Sequence, residues 1–365
     1  MEIRAAVCRD ESLTLSLEDV VLEAPRSDEI LVRLVGAGIC HTDLTVCKDA
    51  KRTPRPVVLG HEGAGMVEKV GANVSRVAVG DRVVMSFDYC GSCPSCLDGA
   101  PSYCDSARAR SFGGARPDGS SPLSRGGEKI HGSFFGQSSF ATHAICTERN
   151  AVKVRSDLPL ETLGPLGCGI QTGAGAVMNA LRVEPGRSIA VFGTGAVGMS
   201  AIMAARLVGA TTIIAIDLLP ARRALALELG ATHALDPGSE NSRDAIRRIT
   251  GRGVDFTIDT TASSTAIADA IGALGTRGTC ALIASQGQQQ QIPLSVIHMM
   301  SGGRSVRGVI EGDSVPQVFI PMLADLYAQG RFPFDRLVRT YPFDRVNEAI
   351  RDAEAGVTIK PVLVF

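Results

Sequence analysis

The sequence has no tryptophan, few other aromatic residues and almost no net charge. Aromatic residues make up 4% of the 365 residues, as 12 Phe and 4 Tyr. Lys and Arg number 37 against 38 Asp and Glu, which gives a formal net charge of -1. A balanced charge provides no broad basic field to attract nucleic acid or an acidic membrane. We therefore expect a compact protein whose partner is a small molecule, with neither nucleic acid nor a membrane as a partner.

Long uncharged apolar runs are also missing. Charged side chains occupy five of the first eleven positions, so the start of the chain lacks the apolar segment of a secretion signal. The longest weakly charged stretch, residues 189–216, contains four glycines that predict strand, turn, helix and strand rather than a membrane span. These features predict a cytoplasmic, reducing location, where clustered thiols more often bind metal than form disulfides.

The length and the hydrophobic pattern predict two domains. Residues 1–150 contain short β runs separated by Gly and Pro turns, whereas apolar β runs alternate with Ala-rich helical stretches after Gly186. Such alternation is typical of a parallel, doubly wound α/β sheet. We predict that residues 170–310 form the doubly wound domain, and that residues 1–169 and 311–365 form a β-rich domain.

Two segments are predicted to lack regular structure. Residues 106–133 are rich in Gly, Ser and Arg and predict a loop over a substrate site, with a plain surface loop as the alternative. The glutamine-rich run at residues 287–291 predicts an exposed turn.

A glycine-rich segment predicts a dinucleotide site. Gly193, Gly195 and Gly198 follow a β run and precede an apolar helix, which is the context that the phosphate-binding fingerprint requires. Asp217 ends the next β run, where a carboxylate accepts hydrogen bonds from the adenosine ribose and repels a 2'-phosphate. These residues favour NAD, while Arg222 and the arginine after it leave NADP open. The alternative is a glycine turn that binds no ligand.

Four cysteines are concentrated in one short segment. Cys90, Cys93, Cys96 and Cys104 are interleaved with Gly and Pro, which allow the chain to wrap a tetrahedral ion. The spacing predicts a closed, structural zinc site. An iron–sulfur cluster and free thiols in a loop are the alternatives.

A second set of metal-binding residue types is scattered along the chain. Cys40, His61 and Cys168 together offer two thiolates and one imidazole. This set is typical of a catalytic zinc that keeps one position open for water or substrate. Taken singly, each cysteine is also compatible with an ordinary buried thiol, and His61 with a histidine satisfied inside a turn.

Several motifs occur in a recognisable order along the whole chain. They are GICHTDL at 38–44, GHEGAGMVEKVG at 60–71, VGDRV at 79–83, the four-cysteine segment, GCGIQTGAGAV at 167–177 and FGTGAVG at 192–198. The series resembles the zinc-dependent medium-chain alcohol dehydrogenases, and within them it is most similar to the bacterial aryl-alcohol (benzyl alcohol) dehydrogenases. The resemblance implies a GroES-like β-rich catalytic domain, a Rossmann domain with a doubly wound parallel sheet, NAD(H), and two Zn²⁺ per chain.

The resemblance also implies roles for individual residues. Cys40, His61 and Cys168 would bind the catalytic zinc, and the four clustered cysteines the structural one. Glu62 would lie beside the catalytic zinc. The remaining implied roles are a hydrogen bond from His61 to Asp43, proton acceptance by Thr42, positioning of the nicotinamide by Thr172 and Val197, and contact of Lys360 with the pyrophosphate. The alternatives are surface carboxylates for Glu62 and Asp43 and a solvated lysine for Lys360.

Two positions depart from the animal liver pattern of the family. Residue 41 is His instead of Arg near the pyrophosphate, and residue 45 is Thr instead of the histidine that ends a proton relay. We hypothesise that His41 contacts the cofactor phosphate and accepts the alcohol proton through Thr42 and a ribose hydroxyl.

The substrate is expected to be a primary aryl or allylic alcohol, with benzyl alcohol favoured. Phe87, Phe134, Phe135 and Phe140 are candidates for an aromatic pocket, with core packing as the alternative. Other candidate substrates are terpenoid alcohols such as geraniol and perillyl alcohol, and the anionic formaldehyde–glutathione adduct. The adduct would need basic residues at the pocket mouth, for which the candidates are Arg108, Arg110 and Arg116.

A further alternative is a relative that binds the cofactor and has lost catalysis. The resemblance also implies a homodimer or homotetramer, assembled through edge strands at residues 305–310.

Overall fold

The computed structural model describes residues 1–287, 289–292 and 294–365, and the chain forms two compact units. The first unit comprises residues 1–169, 315–329 and 334–365. The second comprises residues 170–314 and 330–333. Residues 311–314, which we assigned from the sequence to the β-rich domain, cluster with the second unit.

Both units contain β-strands, and in the first unit turns and short helices separate strands of two to ten residues. In chain order they are β1 (Glu2–Cys8), β2 (Ser16–Leu22), β3 (Glu29–Gly38), β4 (Val57–Val58), β5 (Glu62–Val70), β6 (Arg82–Met85), β7 (Leu123–Arg125), β8 (Glu128–Ile130), β9 (His143–Thr147), β10 (Ala151–Lys153), β11 (Ser188–Phe192), β12 (Thr212–Ile216), β13 (His233–Leu235), β14 (Val254–Asp259), β15 (Leu274–Leu282), β16 (Ser305–Gly308), β17 (Val338–Pro342) and β18 (Lys360–Val364).

The helices are concentrated in the second unit and at the end of the chain. They are α1 (His41–Cys47), α2 (Pro94–Leu97), α3 (Ala107–Phe112), α4 (Gly169–Gly175), α5 (Ala196–Leu207), α6 (Pro220–Leu229), α7 (Ser242–Thr250), α8 (Ser264–Gly272), α9 (Val296–Gly302), α10 (Pro316–Ala328) and α11 (Val346–Glu354). Within the described residues, no helix combines the length and apolar character needed to cross a membrane.

Two sheets build the first unit. One has the order β4-β1-β2-β7-β8, and the other has the order β10-β6-β5-β3-β18-β17 with β9 also paired to β3. The antiparallel pairing of β3 with β5 sets Gly38 opposite Glu62, and the pairing of β18 with β3 sets Val362 opposite Gly38. Because of these registers, residues distant in sequence meet at one end of the second sheet.

A six-stranded parallel sheet forms the second unit, in the order β13-β12-β11-β14-β15-β16. Apolar residues of its strands and helices, including Phe192, Ile214, Ile246 and Ile271, form a buried cluster. This architecture confirms the predicted α/β fold class, in which one unit has a parallel doubly wound sheet and the other is β-rich.

The prediction of one loop over residues 106–133 is wrong. The segment contains α3 and the hairpin of β7 and β8, whose turn holds Gly126 and Gly127 at left-handed φ angles of 55° and 87°. Leu123 and Ile130, which belong to this hairpin, are buried. Each strand has only three residues, too few for an alternating pattern to be recognised in the sequence. In the predicted turn at 287–291, Gln289 and Gln291 are exposed, and Gln288 lies outside the described residues.

Candidate metal centres and dinucleotide loop

The ends of β3 and β5 bring the scattered metal-binding residues together. Cys40 follows β3 and His61 precedes β5, at the same end of an antiparallel pair. Cys168 follows the 3₁₀ turn Gly164–Gly167, which packs against β5. Ligand atoms of Cys40, His61, Glu62 and Cys168 all lie within 4.8 Å of one another. Three segments therefore contribute to one buried cluster of ionisable groups.

His61 is held in one orientation by Asp43. Both side chains are 1% exposed, and His61 Nδ1 lies 2.8 Å from Asp43 Oδ1. The other oxygen, Asp43 Oδ2, accepts a hydrogen bond from the Cys40 backbone N–H at 2.9 Å. His61 Nε2 is buried and has no hydrogen-bond partner among the described residues. This atom is therefore available to a ligand inside the cluster, and the Asp43 contact is the kind that orients a metal-binding imidazole.

Neighbouring charges and hydrogen bonds shift the pKa values of His61 and Cys40 in opposite directions. Burial alone would lower the pKa of His61, but the Asp43 carboxylate and the Cys40 sulfur outweigh it and raise that pKa well above its ordinary value. A hydrogen bond from Cys168 lowers the pKa of the Cys40 thiol, and the charge of Lys360 adds to this effect. The cluster offers two sulfurs and an imidazole nitrogen without a hydrogen-bond partner among the described residues. These donors match a catalytic zinc site, which also keeps one position open for water or substrate.

Glu62 is paired with Lys360 deep in the same cluster. The side chains are 0% and 3% exposed, and Lys360 Nζ donates to both carboxylate oxygens of Glu62 at 2.9 Å. Lys360 also donates to the Ile39 carbonyl at 3.2 Å, and the Gly169 backbone N–H donates to Glu62 Oε1 at 3.2 Å. Burial raises the pKa of Glu62. The alternatives of a solvated lysine and a surface carboxylate are therefore wrong, and the same holds for buried Asp43.

Gln137 and Ser86 belong to the site but were not identified from the sequence. Buried Gln137 donates through Nε2 to the carbonyls of His61 and Ser86 at 3.0 and 3.1 Å, and its Oε1 accepts from the Gly63 N–H at 3.1 Å. The Ser86 hydroxyl donates to the Gly167 carbonyl at 2.7 Å. These two side chains tie the backbone at His61 to the backbone beside Cys168. A lone Gln in a Gly-, Ser- and Phe-rich segment carries no local signal of this role.

The four clustered cysteines form a second group with ligand atoms within 4.8 Å. Cys90 Sγ accepts N–H groups of Ser92 and Cys93 at 3.4 and 3.3 Å, and Cys104 Sγ accepts the Cys90 N–H at 3.3 Å. The N–H groups of Ser92 and Cys93 lower the pKa of Cys90 to about 5. Cys96 completes the group, with its Sγ 3.9 Å from that of Cys90. Four sulfurs with backbone donors fit a closed tetrahedral metal site.

His41 and Thr42 occupy the first turn of α1. His41 is exposed and Thr42 is half-buried. The hydroxyl of Thr45 donates to the His41 carbonyl at 3.0 Å and so remains within its own helix. The position that carries a relay histidine in the liver pattern is therefore used here for a contact inside α1.

The glycine fingerprint joins β11 to α5. Gly193 has a φ of 85°, and a Cβ at Gly198 would lie 1.9 Å from the Gly193 carbonyl oxygen, so neither position accepts a side chain. A Cβ on Gly195 would meet no described atom within 4 Å, which leaves open space above the start of the helix. Backbone N–H groups at this helix N-terminus are suited to a phosphate.

Asp217 connects this loop to the end of β12. Its Oδ2 accepts from the N–H and hydroxyl of Thr194 at 2.8 and 2.9 Å, and Oδ1 accepts from the Leu219 N–H at 2.9 Å. Arg222 lies 4.0 Å from Oδ2. Arg223 forms a 3.1 Å ion pair with Asp236, so one of the two arginines considered for a 2'-phosphate already has a protein anion as its partner.

Thr172 and Val197 lie on adjoining helices of the second unit. The Ser200 hydroxyl of α5 donates to the Ile170 carbonyl of α4 at 2.5 Å, which joins the helices that carry them. Thr172 also donates to Glu311 at 3.3 Å.

The four phenylalanines considered for a substrate pocket are core residues. Phe87, Phe134, Phe135 and Phe140 are all buried and belong to one apolar cluster of the first unit. The Phe135 ring stacks on the His61 ring at a centroid distance of 4.5 Å, and Phe134 meets its edge at 5.7 Å. Phe134 and Phe135 therefore pack against the His61 ring. The sequence could not separate the two roles, because apolar side chains that suit a pocket also suit a core.

The basic residues considered for an anionic substrate are largely neutralised. Arg116 is buried and forms ion pairs with Glu29 at 2.6 Å and Glu23 at 2.7 Å. Arg110 forms an ion pair with Asp88 at 2.6 Å. Of the three arginines, only Arg108 is exposed. The expected basic pocket mouth therefore loses two of its three residues.

Known proteins match the chain along its whole length. Residues 26–156 match the alcohol dehydrogenase GroES-like domain, and residues 196–328 match the zinc-binding dehydrogenase family. Geraniol dehydrogenase of Castellaniella defragrans is 49% identical over 99% of this chain and 97% of its own length.

Two solved structures are similarly close. Benzyl alcohol dehydrogenase of Acinetobacter calcoaceticus is 44% identical, with a TM-score of 0.97 over 100% of this chain and 99% of its own. An alcohol dehydrogenase zinc-binding domain protein of Burkholderia ambifaria is 51% identical, with a TM-score of 0.99 over 100% and 99%. The chain belongs to the zinc-dependent medium-chain alcohol dehydrogenase family, as its motifs predicted. It is thus an alcohol dehydrogenase, and membership implies zinc and NAD(H) as cofactors.

Proposed function

We propose that the protein oxidises primary aryl and allylic alcohols to aldehydes, reversibly, with zinc bound by Cys40, His61 and Cys168 and with NAD as the hydride acceptor. The observation that carries the proposal is the buried His61 Nε2, which lacks a hydrogen-bond partner in the described part of the chain and faces two sulfurs. When bound, zinc supplies a Lewis acid that favours the ionised form of an alcohol hydroxyl. A second zinc would be held by Cys90, Cys93, Cys96 and Cys104.

Residues around the three proposed zinc ligands orient His61 and carry the alcohol proton away. Asp43 keeps His61 Nε2 directed into the cluster through the 2.8 Å contact at Nδ1. Thr42 accepts the alcohol proton at its hydroxyl oxygen and passes its own proton outward. His41 precedes Thr42 in the sequence and is exposed. We therefore assign to His41 the role of accepting the proton that Thr42 passes outward.

The preference for NAD rests on the charge of Asp217. Its carboxylate lies at the end of β12 and is bonded to the glycine loop through Thr194. A fixed negative charge there disfavours a 2'-phosphate, while Arg222 at 4.0 Å reduces that penalty. We therefore expect NADP to be used less efficiently. Thr172 and Val197 are assigned to the nicotinamide end.

The proposed substrate class follows from the chemistry shared by the named relatives. Geraniol is an allylic alcohol and benzyl alcohol is an aryl alcohol, and both place the reacting carbon beside an sp² carbon. The aldehyde product of either is stabilised by conjugation. The ion pairs of Arg110 and Arg116 disfavour the anionic formaldehyde–glutathione adduct.

A steady-state comparison tests this proposal. We would measure kcat/KM for benzyl, cinnamyl, geranyl, perillyl and straight-chain alcohols and for the formaldehyde–glutathione adduct, each with NAD and NADP. We expect the conjugated alcohols with NAD to exceed hexanol and the adduct by at least about tenfold, or about 1.4 kcal/mol. A higher kcat/KM for the adduct or for hexanol would contradict the substrate class. No turnover with any alcohol, in protein containing zinc, would support the non-catalytic alternative.

We also propose a cytoplasmic homodimer or homotetramer. Strand β16 lies at one edge of the parallel sheet, and its Ser305, Arg307 and Gly308 are exposed. An exposed edge presents N–H and C=O groups that a second copy can pair. Light scattering on the eluted protein would give the mass, and a monomer at micromolar concentration would contradict the assembly.

A further inference from the structure

We propose that Cys8 and Cys47 form a redox-active dithiol that closes to an intrachain disulfide when hydrogen peroxide oxidises the protein. Cys8 ends β1 and Cys47 ends α1, so the two sulfurs join elements that are separate in sequence. Their Sγ atoms lie 2.8 Å apart, and the residues are 1% and 3% exposed. A disulfide bond brings two sulfurs to about 2.0 Å, so closure requires only a small movement.

The surroundings distinguish the two thiols. The Asp10 carbonyl oxygen lies 3.3 Å from Cys8 Sγ and 3.9 Å from Cys47 Sγ, so it is within hydrogen-bond range of either thiol. Arg55 Nη2 donates to the Val46 and Cys47 carbonyls, while Arg55 Nε and Nη1 are buried without a partner in the described chain. The hydrogen bond from Cys8 lowers the pKa of Cys47, and the Arg55 charge adds to the effect, whereas the hydrogen bond to Cys47 and burial raise the pKa of Cys8. A thiol with a lowered pKa ionises more readily, and a second thiol in contact with it can then complete a disulfide.

The chemistry balances with one peroxide per disulfide. The Cys47 thiolate attacks one peroxide oxygen, the O–O bond breaks, and hydroxide leaves to give a sulfenic acid at Cys47. The hydroxide takes up a proton and becomes water. The Cys8 sulfur then attacks the sulfenic sulfur, loses its proton, and the S–O bond breaks to release a second water. Two thiols are oxidised, and one hydrogen peroxide is reduced to two waters.

The remaining cysteines are placed differently. Six of them form the two candidate metal groups, four in one group and two, Cys40 and Cys168, beside His61 and Glu62 in the other. Cys146 and Cys280 are buried away from both groups, and burial raises the pKa of each thiol. The pair is also linked to the candidate catalytic centre, because Cys47 ends the helix that Cys40 precedes and that carries Thr42 and Asp43.

Peptide mapping of the zinc-containing full-length protein tests the proposal. The protein would be treated with hydrogen peroxide, alkylated after unfolding, and digested without reductant. We expect a peptide pair joined through Cys8 and Cys47, two hydrogens lighter than the separate peptides, with zinc content unchanged and with dithiothreitol reversing the link. Separate alkylation of Cys8 and Cys47, after peroxide treatment that has already oxidised the metal-site cysteines, would overturn the proposal.

Two variants provide a matched comparison. Cys47→Ser should lose the cross-link and leave Cys8, Cys146 and Cys280 open to alkylation after the same treatment, whereas Cys146→Ser should form the Cys8–Cys47 link as the unchanged protein does. If Cys47→Ser does not fold, the mapping of the unchanged protein and of Cys146→Ser still decides the outcome. A mapped link from Cys8 or Cys47 to Cys146 in the unchanged protein, absent from Cys146→Ser, would contradict the proposed pair.

Discussion

The two candidate metal centres are assembled in opposite ways. The four clustered cysteines lie between residues 90 and 104, three of them partly exposed and Cys104 buried, and backbone N–H groups bond directly to the sulfurs of Cys90 and Cys104. The other centre draws Cys40, His61 and Cys168 from three segments, and its partners are mainly charged or polar side chains. The first is therefore determined by a short stretch of chain. The second depends on strand register and on residues elsewhere in the fold.

This difference predicts different sensitivities. Removing a cysteine from the local centre should disturb that segment and its stability, because zinc bound there would be coupled to local folding. Changing residues around the buried centre should alter chemistry and metal affinity, because charged groups in low dielectric interact strongly.

The largest expected effect is the loss of activity in His61→Ala. This change removes one of three candidate ligands, so we expect kcat/KM to fall by about 10³-fold or more, which corresponds to several kcal/mol of lost stabilisation. Metal analysis should show the loss of one zinc per chain. His143→Ala is the control, because His143 lies on β9 and contacts Glu68 at 3.4 Å. A fall smaller than tenfold with zinc retained would remove His61 from the catalytic set.

The next prediction concerns Cys96→Ser in the local centre. We expect the loss of the other zinc, and a decrease in the free energy of unfolding of about 4 kcal/mol or more, since loss of a bound metal is among the largest single-site effects. Chemical denaturation and limited proteolysis between residues 90 and 104 would measure it. The matched variant Cys146→Ser should retain both zinc ions. Unchanged zinc content in Cys96→Ser would show that the cluster binds no metal.

Lys360→Met should destabilise the protein by about 3–5 kcal/mol, because it leaves the Glu62 carboxylate buried without its cation. Urea denaturation would measure the change, and adding Glu62→Gln to the same chain should recover part of it. The control is Lys48→Met, which breaks an exposed ion pair with Glu354 and should cost less than about 1 kcal/mol. An equal decrease in the free energy of unfolding for the two lysine variants would show that burial does not make the Lys360–Glu62 pair more important for stability.

The smallest effect is predicted for Gln137→Met. It removes the hydrogen bonds to the His61 carbonyl and from the Gly63 N–H and should cost about 1–3 kcal/mol. With cobalt(II) in place of zinc, the visible absorption of the catalytic site should also shift. Gln317→Met is the matched control, because Gln317 donates to the carbonyls of Glu148, Arg149 and Ala151. An unshifted cobalt spectrum in both variants would show that Gln137 stabilises the fold without positioning His61.

The sequence predicted the local features well. Three features depend on residues close together in the chain, so a short stretch of sequence is enough to recognise each of them. They are the fingerprint at Gly193–Gly198, the four-cysteine spacing, and the alternation of β11, α5 and β12. The hairpin of β7 and β8 was missed because strands of three residues have no measurable period.

By itself, the sequence determined the fold class, the dehydrogenase family and the residue types that bind metal. Only the tertiary structure decided that Lys360 pairs with Glu62, that Gln137 holds the His61 backbone, and that the four phenylalanines are core. The physical reason is register. The pairing of β18 and β5 with β3 brings residues 38, 62 and 362 side by side, and no local pattern encodes which distant side chains such a pairing will place in contact.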